Sequence, residues 1–247
     1  MTRAALLCAV FSAYALTRRA PHYRPIARGL SVLLAIVCAR LLCAGPRLGV
    51  GPVTARWAVD VIFQSSQKMV KEIEDFLNIT RIELGTMKYE QSEVNFKELV
   101  ETVSKELRVN VEKKGLQFSL EIDSTAGYKL VGDSGKLAQA VGNLIDNAIK
   151  YTPARQEGGK QGWIRMTLSR VDGKIRLEVS DSGVGMPAEV IPKLFQKFTR
   201  AEDASQVNIT GTGLGLYVAK QIVNAHHGQI WAESDGVGKG SRFIVEV

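Results

Sequence analysis

Beyond Cys43 this 247-residue sequence contains no cysteine; the three it has, Cys8, Cys38 and Cys43, all lie in the leading segment. The rest of the chain can form neither a disulfide nor a thiolate metal site, as suits a reducing compartment. Carboxylates and lysines are missing from that same segment. Met1 to Val59 holds eight arginines, no lysine and no acid; the first carboxylate is Asp60 and the first lysine Lys68. From Asp60 onward sixteen lysines and eight arginines stand against twenty-five acids, a net charge of −1, so the overall +7 belongs to the leader. The near-neutral body gives no reason to expect a nucleic-acid partner. Long apolar runs are also missing. AALLCAVFSAYAL is thirteen residues long, and GLSVLLAIVCARLLCAG is interrupted by Arg40. A helical membrane span takes roughly 20 apolar residues, and an arginine at mid-span costs about 2.5–3.5 kcal/mol. Residues 1–56 fit a membrane hairpin or anchor, an Arg-rich targeting leader, or a stretch foreign to the domain through a misplaced start or a change of reading frame. The abrupt switch from arginine-only to lysine-rich usage favours the last.

What is present after Val59 is periodic. Residues 57–84 predict one long helix, with Ile62, Ser66, Met69, Ile73, Phe76 and Thr80 at alternating spacings of four and three. That is the seam of a helix packing against partners, and Gly85 ends it. A second unit begins near Ser92: VNFKELVETVSKELRVNVEKKG reads as a helix, LQFSLEID and YKLVGD as strands, and Asp133 as the cap of a helix that follows. WIRMTLSRV and KIRLEVSDS flank Asp172-Gly173, a strong hairpin signal. LGLYVAKQIVNAHHG predicts a helix closed by Gly228, and QIWAESD and RFIVEV two more strands. The assembly expected is α+β: a two-layer sandwich with an antiparallel or mixed sheet and helices on one face, preceded by the long helix.

Three glycine clusters carry the candidate chemistry. GVGKGS is not a phosphate loop, because Lys239 is followed by Gly240 and a strand follows instead of a helix; a tight hairpin turn is expected. GTGLGL, Gly211 to Leu216, lacks the dinucleotide spacing and has no strand before it, but it opens into a helix, where free N–H groups and the dipole favour anions. DSGVGM places Asp181 at a strand tip, with two glycines that let backbone approach a ligand. Before all three comes NLIDNAIKYT, a helix that repeats asparagine at 143 and 147 on one face.

Asn-rich helix, Asp-x-Gly-x-Gly, Phe-x-x-Phe, then Gly-x-Gly-x-Gly: in this order, from about Asn95 to Val247, the chain resembles the ATP-binding catalytic domain of sensor histidine kinases, a fold shared with gyrase, mismatch-repair ATPases and heat-shock chaperones. Residues 57–90 resemble the second helix of that family's dimerisation hairpin, which leaves 91–247 as the catalytic domain. The resemblance implies that Asp181 accepts the adenine amino group, that Gly183 and Gly185 let the chain pass the base, and that Tyr151 packs against it. It implies Mg²⁺ held through the Asn147 amide oxygen, with Asn143 facing the phosphates and Lys150 offsetting their charge. A neutral oxygen ligand suits a hard cation beside a triphosphate. Gly211, Thr212, Gly213, Leu214, Gly215 and Leu216 would form the wall at the terminal phosphates. Phe195 and Phe198 match the phenylalanine box of a mobile lid, and Arg200 could reach the transferred phosphoryl group.

The resemblance also explains the paired asparagines. In the related ATPases and serine kinases, the Asn143 position is typically a glutamate that activates water or a hydroxyl; an amide cannot take that proton at neutral pH. Such a domain suits phosphoryl transfer from Mg·ATP to a histidine elsewhere, and on to an aspartate of a response regulator receiver domain, in a two-component system. The sequence departs from the family in lacking His-Glu/Asp-x-x-Thr/Asn-Pro upstream of Arg81. His22, in HYRPIARGL, has a proline but no adjacent acid, so no catalytic residue is assigned, and His226 and His227 suit a helix end. The expected partners are a response regulator and a second chain, identical or not, paired through residues 57–84. The kinase core is expected in the cytoplasm, with membrane association through 1–56 left open. Two rivals follow: an ATP-binding regulatory module that heterodimerises without catalysing, and an ATP-hydrolysing member of the fold, which Asn143 opposes.

Overall fold

Alternating side chains build the sheet that carries the fold. In β4 (Trp163–Val171) Ile164, Met166 and Leu168 are buried, and in β5 (Lys174–Asp181) Ile175, Leu177, Val179 and finally Asp181 are. Their neighbours face outward, as a side-chain period of two requires. The computed structural model describes residues 52–199 and 213–247. The other elements are α1 (Pro52–Glu83), β1 (Ser92–Asn95), α2 (Phe96–Lys113), β2 (Gln117–Ile122), β3 (Lys129–Gly132), α3 (Ser134–Tyr151), α4 (Gly215–Ala225), β6 (Gln229–Glu233) and β7 (Ser241–Glu246).

β1 pairs with β3, and the main sheet runs β2-β4-β5-β7-β6. The fold is the expected α+β sandwich, and of the two expected sheet forms it takes the mixed one: β2 and β4 are parallel, Gln117 opposite Trp163 and Ile122 opposite Leu168, while the remaining pairs are antiparallel. The chain leaves β2, passes through β3 and α3, and returns in the same direction, which gives a parallel pair the long connection it needs. Asp172 and Gly173 both take positive φ, 51° and 80°, in the two-residue turn between β4 and β5.

The helices cover one face. α3 packs between α2 and α4, with α2 on β2 and α4 on β6. α3 presents Leu137, Ala140, Val141, Leu144, Ile145 and Ala148 to the core, and α4 presents Val218, Ala219, Ile222 and Val223. Burying each large aliphatic side chain contributes about 1.5–3 kcal/mol. Asp133 caps α3, its carboxylate accepting the Lys136 N–H at 3.0 Å and the Glu90 N–H at 2.9 Å. His226, just past α4, accepts the Asp133 N–H on Nε2 at 2.9 Å, so the proton on its ring sits at Nδ1, 2.7 Å from the Ile222 carbonyl. This histidine has a structural partner at each nitrogen.

The chain divides into two compact units, Met1–Ile73 and Glu74–Val247. Residues 1–51 of the leader, with His22, lie outside the described residues. α1 begins at Pro52, five residues before the expected start; proline fits a first helical turn because its missing N–H has no partner there in any case. In the first unit Met69 and Ile73 are exposed at 56% and 49%. In the second, the last turns of α1 bury Asp75, Asn78 and Ile79 and leave Phe76 exposed at 58%. Gly85, at φ +63°, ends the helix. Among the described residues no helix is long and apolar enough to cross a membrane.

Candidate functional site

β5 delivers a carboxylate to an interior position. Asp181 is its last residue, 4% exposed. The Gly183 N–H donates to its Oδ1 at 2.7 Å, and the Ser241 N–H donates a second bond. Burial pushes its pKa up to about 6 against these two hydrogen bonds, and among the described residues no cation acts on it. A carboxylate offers about four acceptor directions, so capacity remains for a ligand's donor. A buried acid with its pKa raised by desolvation is the kind of group that marks a binding or catalytic site.

The loop after Asp181 is held by close approaches that admit only glycine. A Cβ on Gly183 would come within 2.5 Å of the Tyr151 carbonyl oxygen, and one on Gly185, which sits at φ +66°, would collide with the Gly236 carbonyl. The opposing wall is the GVGKGS turn between β6 and β7. The Gly238 N–H donates to Val184 at 2.6 Å, the Gly240 N–H to Gly183 at 3.1 Å, and the Ser234 hydroxyl accepts the Met186 N–H at 3.0 Å. This turn is a hairpin, as expected, and it also braces the Asp181 loop. That second role was missed: nothing in a local pattern places residues 236–240 against 183–185.

α3 brings the asparagines and the basic-aromatic pair along one edge. Asn143 is buried and its Nδ2 donates to the Gly215 carbonyl at 3.0 Å, joining α3 to the first turn of α4. Asn147, one turn on, is half-buried, as are Lys150 and Tyr151. The Lys150 ammonium lies 5.0 Å from the Tyr151 ring centre. The Tyr151 carbonyl accepts the Val184 N–H at 3.2 Å, which ties the end of α3 to the Asp181 loop.

The third glycine cluster is described from Gly213 onward. Gly213 has φ +69°, Leu214 is buried, Gly215 opens α4 and Leu216 is half-buried against the core. The N–H groups of a first helical turn have no intrahelical acceptor. Phe195 packs on the core beneath the Lys220 ammonium, 5.7 Å from its ring centre, whereas Phe198 is exposed at 64% with φ +58°. Arg200, Gly211 and Thr212 lie outside the described residues. The structure thus brings Asn143 to Gly215 and Tyr151 to the Asp181 loop, with Asn147 and Lys150 between them on α3.

Chemically, one end of this arrangement offers a buried acceptor behind glycine backbone, and the other a helix N-terminus braced by an amide. Among the described residues no group of three His, Cys, Asp or Glu could hold a metal. A cation here would depend on a neutral oxygen such as that of Asn147 together with ligand oxygens, a donor set that fits Mg²⁺ carried by a polyphosphate.

Residues 132–247 match the family described as histidine kinase-, DNA gyrase B-, and HSP90-like ATPase. The chain is 37% identical over 181 residues to the adaptive-response sensory kinase SasA of Synechococcus sp. (strain JA-3-3Ab), covering 73% of this chain and 45% of that protein. It is 30% identical to the catalytic domain of histidine kinase ThkA, with a TM-score of 0.52 over 64% of this chain and 97% of that one. A likeness of fold extends to histidine kinase ThkA in complex with response regulator protein TrrA, at 22% identity and a TM-score of 0.58, over 95% of this chain and 65% of that one. The chain spans between 11% and 45% of the length of the curated relatives it matches.

Proposed function

Because this chain belongs to the histidine kinase-, DNA gyrase B- and HSP90-like ATPase family, as an ATP-binding catalytic domain of the sensor histidine kinase type, we propose that it binds Mg·ATP between α3, the Asp181 loop and the N-terminus of α4, and serves phosphoryl transfer to a histidine. The observation that carries this is Asp181: buried, held by two backbone N–H groups, and retaining acceptor capacity behind glycine backbone. A fixed acceptor at that point takes the exocyclic amino group of adenine and finds no donor at the corresponding carbonyl of guanine. Gly183 and Gly185 keep the wall thin enough for a planar base, against which Tyr151 packs.

At the other end Asn143 holds the Gly215 carbonyl, so the first-turn N–H groups of α4 stay aimed at the phosphates. Lys150 offsets phosphate charge, and the Asn147 amide oxygen would hold Mg²⁺. When bound, that cation neutralises charge developing on the transferred phosphoryl group. Phe195 anchors a lid on the core, Gly211 and Thr212 would complete the phosphate wall, and Arg200 would reach the transferred phosphoryl group. With an amide at position 143 the site has no base there to activate water, which supports donation to an external nucleophile and opposes hydrolysis.

Residues 57–90 are read as the second helix of a dimerisation hairpin, supported by the exposure of the seam residues Met69 and Ile73 in the first unit and Phe76 in the second. The onward acceptor is read as an aspartate of a response regulator, by analogy with the ThkA–TrrA complex. A second reading, a regulatory module that binds ATP and pairs with another kinase, is favoured by the missing His-acid-Pro motif upstream of Arg81. Calorimetry with Mg·ATP and Mg·GTP tests the core of the proposal: ATP alone should bind, and absence of ATP binding at millimolar concentration on folded protein would refute it. Incubation with γ-labelled ATP and a histidine kinase dimerisation hairpin that carries the acceptor histidine then separates the readings. Acid-labile, base-stable label marks histidine transfer, and binding without label marks the regulatory module.

A further inference from the structure

We propose that Lys114 is a positioning residue for the nucleotide pocket, fixing the end of α3 on which Lys150 and Tyr151 stand; the inference rests on the nucleotide-binding reading above. A helix leaves its final carbonyls without intrahelical donors, and at the end of α3 each of them has a traceable partner. Ala148 O accepts the Thr152 N–H at 3.1 Å and the Thr152 hydroxyl at 2.7 Å. Ile149 O and Lys150 O accept from the Lys114 ammonium, at 2.5 and 3.0 Å. Tyr151 O accepts the Val184 N–H at 3.2 Å. Val184 lies between Gly183 and Gly185, so one helix end is shared between a lysine and the loop that holds Asp181.

The lysine reaches this end from another element whose own position is fixed. Lys114 is the C-cap of α2; Gly115 turns the chain at φ +73°, and the Leu116 N–H closes onto Val111 O at 3.1 Å. Its charge complements the negative pole of the α3 dipole. Partial burial lowers its pKa, as expected for an ammonium withdrawn from water. The next carbonyl, Tyr151 O, lies so close to the Gly183 backbone that a Cβ there would come within 2.5 Å of it, so the end of α3 and the Asp181 loop are in direct contact. A last turn released from Lys114 therefore shifts Lys150 and Tyr151 directly, and moves the acceptor of Val184 beside the carboxylate of Asp181.

The plain alternative is a cap that stabilises the fold and leaves ligand binding untouched. On the chain as it stands, Lys114→Met removes the donor and keeps the aliphatic stem, while Lys114→Arg keeps a charged donor. Affinity for Mg·ADP by calorimetry and the thermal midpoint are measured for both. Lys114→Met should weaken Mg·ADP binding roughly tenfold, the scale of a lost charged hydrogen bond, and Lys114→Arg should restore it to within about threefold of the parent. A Lys114→Met protein with a lowered midpoint but an affinity within about twofold of the parent has lost only a structural cap, and overturns the proposal. If Lys114→Met does not fold, Lys114→Gln is held to the same criterion. A parent chain that binds no Mg·ADP defeats the nucleotide-binding reading and this inference with it. A parent that binds beside an equally tight variant defeats this inference alone.

Discussion

The two ends of the proposed nucleotide pocket are built differently. At the base end three segments interlock through backbone: Tyr151 with Val184, Val184 with Gly238, Gly183 with Gly240. The glycines there lie too close to neighbouring backbone to admit any side chain. At the phosphate end, among the described residues, a side-chain bond from Asn143 to the Gly215 carbonyl joins α3 to α4; a Cβ on Gly215 would meet nothing closer than 3.5 Å, whereas one on Gly213, at φ +69°, would lie 2.9 Å from the Thr199 carbonyl oxygen. Discrimination between bases needs an acceptor fixed in place, whereas delivery of a phosphoryl group needs a region that can adjust to ligand. The tightest of these approaches, that of a Cβ on Gly185 to the Gly236 carbonyl, lies where recognition would occur.

A pair of glycine substitutions puts the largest strain on that contrast. Gly185→Ala forces a Cβ into the Gly236 carbonyl at φ +66°, and should cost at least about 3 kcal/mol of stability, with loss of nucleotide binding. Gly215→Ala adds a methyl group to a helix with room for it, and should change stability by less than about 1 kcal/mol. Denaturant midpoints check both; equal losses would erase the distinction between the ends.

Asp181→Asn comes next, and should act on ligand and fold in opposite directions. Nucleotide affinity should fall by about 1–3 kcal/mol, the scale of a lost hydrogen bond to a charged group. The folded carboxyl has its pKa raised from 3.8 to about 6 by burial, so the native state holds this proton more tightly than the unfolded chain. The burial penalty is absent below about pH 4, grows as pH rises through about 6, and is constant above. Two pKa units set its upper bound at about 3 kcal/mol. Without nucleotide, Asp181→Asn should therefore be the more stable protein at pH 7 to 8, and the two thermal midpoints should converge towards pH 4. A variant less stable across that range would mean that the charge is compensated in a way these contacts do not contain.

The legibility of the molecule follows the range of its interactions. Asp172-Gly173 and the Asp133 cap were readable because each is settled within about four residues, by the φ values a turn demands or by a carboxylate in reach of the next N–H. The faces of β4 and β5 were readable because burial follows a period of two. The direction of β2 was not: alternation reports which side chains face the core and says nothing about whether the neighbouring strand runs the same way. β1 escaped because four residues are too few to show a period. At the site, Asp181 and its glycines were visible as a local motif. Their braces at Gly236 and Gly240, and Lys114 some 35 residues from the carbonyls it holds, depend on packing between distant segments.

Asn143→Asp tests the side-chain link between α3 and α4. It replaces the donor to the Gly215 carbonyl with an acceptor; about 1–2 kcal/mol of stability should be lost, and nucleotide affinity should drop through repulsion of the phosphates while the preference for ATP over GTP survives. A changed base preference, read by calorimetry with both nucleotides, would show that the two ends are one unit.

The smallest effect is expected at Lys197, which follows the Phe195 anchor. Its ammonium pairs with Glu83 at the end of α1 and lies 5.3 Å from the Tyr217 ring centre on α4. The paired side chains are 35% and 47% exposed, and water screens such pairs, so Lys197→Met should shift stability by less than about 1 kcal/mol. Nucleotide affinity should stay within about twofold if this pair is only a surface contact. A larger change in affinity without a matching change in thermal midpoint would mean that the segment after Phe195 works against α1, and that the looser end of the pocket senses the helix read as the dimerisation element.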